Sequence, residues 1–124
     1  MDELLAKIAA ETGLEPSTAK VAIGHILAYL KAESDDPAVG KMIAETPGAS
    51  DAIATTGGDD EGGFLGAAMG GGIMALGSKL MGLGLDMGQI QIVARELAAF
   101  AKAHSDPETV DRALASVPGL SSFV

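Results

Sequence analysis

The chain has 124 residues, 48% hydrophobic but only 3% aromatic, with no Cys and no Trp. Its core must therefore be built from Ala, Leu, Ile, Val and Met, and disulfides, thiolate nucleophiles and Cys-based metal sites are excluded. A formal net charge of −9 repels polyanions, and no basic patch interleaved with aromatics offsets it, which argues against nucleic acid.

Asp2–Thr12 reads as a helix with Leu4, Leu5, Ile8 and Ala9 on one face, stopped by Gly13. Pro16 suits the first turn of a second helix, capped by Glu15 or Ser17 and running to about Ala32. Its apolar stripe is Ala19, Ala22, Ile23, Ile26, Tyr29 and Leu30. Ser34-Asp35-Asp36-Pro37 restarts a third helix carrying Val39, Met42 and Ile43. That helix ends or bends near Thr46, because a residue before proline avoids the helical region, and a last turn follows through Ala52-Ile53.

Residues 3–53 recur as residues 74–124, with 13 of 51 aligned positions identical and no gap. Gly13-Leu14-Glu15 aligns with Gly84-Leu85-Asp86, Ser34-Asp35 with Ser105-Asp106, and Pro47-Gly48 with Pro118-Gly119. In the second stretch Asp86 is the better cap, the stripe becomes Ile90, Val93, Leu97 and Phe100, and Asp106-Pro107 restarts a helix carrying Val110, Leu114 and Val117. Leu120 and Phe123 follow. The expectation is an all-α single domain over residues 1–124, six helices in two tandem three-helix repeats related by a pseudo-twofold. Repeat 1 covers 1–53, a Gly/Asp-rich connection 54–72 and repeat 2 73–124. Neither unit alone buries enough surface, so the two should share a core. Helices 17–32 and 88–103 should then turn equivalent faces inward, with Tyr29 and Phe100 alike.

Charge divides unevenly. Nine acids and four bases give repeat 1 a net −5, whereas five acids and four bases give repeat 2 a net −1. Asp59-Asp60-Glu61 between glycine pairs reads as a solvated run rather than a Ca²⁺ loop.

From Phe64 to Leu85 the chain carries one charge, Lys79, and seven glycines. This Gly/Met-rich segment, read as a helix over 64–85, satisfies the loose length criterion for a membrane span. Its alignment with Leu4–Gly13 favours burial, and Gly and Met also suit an adaptable contact with another helix. Phe64, Leu65, Met69, Met74 and Met81 are therefore candidates for an interface or ligand surface. So is the small-residue face Gly24, Ala28 and Ala32 on the second helix. Gly72–Lys79 only approaches a phosphate-binding loop, since its Lys falls one place late and no strand precedes it.

His25 and His104 align with Glu96 and Glu33, so the repeat does not pair them as metal ligands. No Ser-His-Asp set or isolated carboxylate pair stands out, and no catalytic, cofactor or metal residue is assigned.

Ser34-Asp35-Asp36, Val39, Pro47-Gly48 and the break into Gly82-Leu83-Gly84-Leu85-Asp86-Met87 resemble the small bacterial proteins of the VcgC/VcgE type. The resemblance spans roughly Pro16–Val117, and Gly88–Ala115 is similar to that family's C-terminal part. The chain departs from it in having no evident export signal and in ending with Pro118-Gly119-Leu120. The resemblance implies an all-helical fold and transfers no catalytic or binding residue.

The expected function is a non-enzymatic interaction module, a homo-oligomer or the binder of a protein partner. The alternative is membrane-surface, lipid or small apolar ligand binding through residues 64–85. An acidic start without a basic n-region points to the cytoplasm.

Overall fold

The computed structural model describes residues 2–34, 36–55 and 73–116, and every regular element within them is an α-helix. Seven occur in order: α1 (Asp2–Thr12), α2 (Pro16–Glu33), α3 (Pro37–Glu45), α4 (Ala49–Thr55), α5 (Ile73–Gly82), α6 (Met87–His104) and α7 (Pro107–Ala115). The expected readings at 56–72, Val117, Pro118-Gly119, Leu120 and Phe123 lie outside the described residues.

Start signals in the sequence become caps. Asp36 accepts from the Ala38 amide at 2.9 Å and Asp106 from the Glu108 amide at 3.0 Å, each before a proline at the first helical position. Asp86 and Gln89 form a reciprocal capping box on α6, whereas Glu15 makes no side-chain cap bond on α2. Asp86→Ala is therefore expected to cost about 1–2 kcal/mol in urea unfolding followed by circular dichroism. Glu15→Ala should cost much less, and equal losses would contradict the assigned caps.

The chain turns after α1 and after α5 at glycines in the left-handed region, Gly13 at φ +76 and Gly84 at φ +101. The six-helix expectation is corrected after α3. Thr46 ends that helix before Pro47, Gly48 turns at φ +81, and α4 forms as a separate seven-residue helix rather than a trailing turn. Ala49 and Ala52 on α4 are fully buried, and α4 packs on α2 and α3. Small side chains there let the helices approach closely. Thr46, itself buried, donates from Oγ1 to the Met42 carbonyl at 2.7 Å, so its hydroxyl costs little in the core.

α2 and α6 lie at the centre. α2 packs on α1, α3, α4, α5 and α6, while α6 packs on α1, α2, α3, α5 and α7. α3 and α7 pack against each other. On α2 the buried positions include Ala19, Ala22, Ile23, Ile26 and Leu30; on α6 they are Ile90, Val93, Ala94, Leu97 and Ala101. These are the same positions of the alignment, and Tyr29 and Phe100 are both half-buried against the core.

Helix ends far apart in sequence are tied together. Gln89 Nε2 donates to the Thr12 carbonyl at 2.9 Å, fastening the start of α6 to the end of α1. The Asp36 amide donates to Ser34 Oγ, which lies 2.6 Å from Ser116 Oγ, and Ser116 Oγ donates to the Ala113 carbonyl. With the Ser116 proton committed to Ala113, Ser34 is the donor between the two hydroxyls, completing a directed chain. Ser105 Oγ donates to Glu45 Oε1 at 3.3 Å.

Candidate functional site

One apolar gap, about 10 Å³, is bordered by Ile26, Leu30, Met42, Leu97, Ala101 and Leu114 among others. That volume admits a water molecule at most, and its apolar walls offer it no partners.

A shallow groove runs between α1 and α6, lined by Glu3, Leu4, Lys7, Glu96, Ala99 and Phe100. Lys7 Nζ and Glu96 Oε2 are 2.9 Å apart across it. The Glu96 hydrogen bond, then its charge, with a smaller effect from Glu11, hold the Lys7 ammonium above the usual lysine range. A raised folded pKa means the pair's contribution is present at neutral pH and is lost only as alkali deprotonates Lys7. The Lys7 side chain is 60% exposed, so that contribution is small.

Of the sequence-predicted surface residues, Gly24, Ala28, Ala32, Met74 and Met81 fall within described helices. Phe64, Leu65 and Met69 lie outside the described residues. Met74 falls in the first turn of α5, and its side chain lies outside them too. Gly24 is buried and Ala28 half-buried on α2, and Ala32 sits in that helix's last turn. An outside partner does not reach Gly24.

Met81 remains, 50% exposed in the last turn of α5. The structure adds a residue that sequence reasoning passed over, Met87, 47% exposed at the first position of α6. The two flank a turn in which the Gly84 amide donates to the Met81 carbonyl at 2.9 Å. Half-buried Leu83 lies between them and packs on the core. Met81 and Met87 are the exposed large hydrophobics among the described residues. A signal existed in the alignment, where Met81 and Met87 stand against Ala10 and Pro16.

The segment 64–85 is not one continuous helix, since α5 ends at Gly82 and the chain reverses before Leu85. No helix among the described residues is long and apolar enough to cross a membrane. Lys79 lies within α5 rather than in a strand-to-helix loop. No group of three His, Asp or Glu among the described residues is placed to hold a metal ion. Exposed His104 lies with its ring centroid 4.5 Å from that of Phe100; His25 is half-buried on α2.

Comparison with family models, curated proteins and solved structures gives no match, so no activity or partner is transferred to this chain.

Proposed function

We propose that this chain is a non-enzymatic helical interaction module that self-associates. Its architecture, on the same reading, is two tandem units, α1–α2–α3 and α5–α6–α7, related by a pseudo-twofold, with α4 appended to the first. Support for the repeat comes from helix bounds, since Pro16–Glu33 and Met87–His104 coincide under the 71-residue shift. The turn glycines 13 and 84 coincide too, as do the C-caps Ser34 and Ser105. The bonds Ser34–Ser116 and Ser105–Glu45 exchange under the same shift, as a twofold requires.

The observation that carries self-association is the exposed pair Met81 and Met87 flanking the turn between α5 and α6. Methionines held in water forgo the gain of apolar burial, and at a contact they adapt to irregular partners. Light scattering coupled to gel filtration tests the reading. A dimer or larger assembly at tens of micromolar is expected; a monomer throughout that range and tenfold above it overturns it.

A further inference from the structure

We infer that Met81 and Met87 form an oxidation site. Their thioethers take up one oxygen each from a two-electron oxidant of the peroxide class, and the fold stays intact. In each transfer the O–O bond of hydrogen peroxide breaks, one oxygen bonds to sulfur and the other leaves as water. The thioether is thereby oxidised to a sulfoxide and the peroxide is reduced. The site stands on the exposure of the two side chains and not on the self-association reading.

Composition, burial and position carry this. With no Cys and no Trp, two-electron oxidation of this chain falls on methionine. The methionines with described side chains are Met42, Met81 and Met87. Met42 is 2% exposed in the core, so an oxidant reaches its sulfur only when the core opens. Met81 and Met87 are 50% and 47% exposed, at the end of α5 and the start of α6. A sulfoxide is polar, and one formed in a core breaks the packing around it. At these two positions the added oxygen meets water instead. The aligned residues, Ala10 and Pro16, turn the aligned corner without a thioether, so a corner of this kind does not depend on one. The chain has no thiol of its own to undo the step, and return to the thioether takes an external sulfoxide reductase.

Hydrogen peroxide treatment of the full chain, followed by peptide mass spectrometry, tests this. The chain is kept far more dilute than in the light-scattering test, so that association does not shield the corner. Met81 and Met87 should gain oxygen at rates within about tenfold of free methionine, and Met42 at least about tenfold more slowly than either until urea unfolds the chain. A double variant, Met81→Leu with Met87→Leu, is treated in parallel. Peroxide should shift its melting temperature by the same amount as that of the wild type, because effects of the other methionines are common to both. Met42 keeping pace with the pair in the folded chain overturns the site, as does Met81 or Met87 falling outside that range. A larger loss of melting temperature in the wild type than in the double variant overturns the claim that the fold stays intact.

Discussion

Leu30→Ala is expected to lower the free energy of unfolding by about 3–5 kcal/mol, a large share of what a domain this size possesses. The Leu30 side chain is 0% exposed and borders the apolar gap between α2 and α6. α2 is held by five other helices, so the space left by the isobutyl group cannot close by a small shift of one neighbour. Ala101, the residue aligned with Leu30, borders the same gap. A Leu30→Ala, Ala101→Leu exchange therefore keeps the total volume around it. The double variant should recover about 1.5 kcal/mol or more of the loss. Urea titration followed by circular dichroism measures both values. A double variant no more stable than Leu30→Ala would mean that the two positions do not share one space.

Ile8→Lys should be more damaging still, costing more than about 4 kcal/mol and leaving the chain substantially unfolded at physiological temperature. The alignment suggests the reverse, because the residue aligned with Ile8 is Lys79. The structure separates the two positions. Ile8 is 0% exposed and belongs with Leu4 and Leu5 to the buried side of α1, while Lys79 is half-buried with access to water. Among the described side chains of α5 the inward positions are Leu76 and Leu80, and Leu80 aligns with half-buried Ala9 of α1. The two helices thus present faces rotated relative to each other. Lys79→Ile, by contrast, should be tolerated in the fold. Melting curves of the two variants separate these cases, and similar behaviour would show that α1 and α5 sit equivalently after all.

The legible parts of this fold are those set by local chemistry. Asp-Pro at 36–37 and 106–107 marked two helix starts because the cap and the missing proline amide act within one turn. Gly13 and Gly84 marked two helix ends because each adopts a backbone conformation that other residues avoid. The stripes on α2 and α6 were legible because both helices are long enough for the apolar period to repeat several times. α4 was legible only as a last turn through Ala52-Ile53, since seven residues give fewer than two full turns of pattern and its burial depends on α2. The rotation of α5 was hidden because glycine at 77 and 82 blurs the apolar face that would have set its angle. Met87 was hidden for a different reason: a methionine at a helix start reads as core until its neighbours are known. What a surface binds is written less locally still, and only the contrast between Met81 and Ala10 hinted at it.

The pairing of α1 with α6 has a consequence for how the protein is made. Lys7 and the Thr12 carbonyl on one helix meet Glu96 and Gln89 on another that follows much later in the chain. A ribosome extends the chain at about 5–20 residues per second, so α1 emerges several seconds before α6 exists. During that interval Leu4, Leu5 and Ile8 have only the first-half helices to lie against. The nascent first half is then the species most exposed to wrong partners, including the first half of a neighbouring chain on the same message. Completion of α6 and α7, rather than synthesis of α1 to α4, is the event that closes the core.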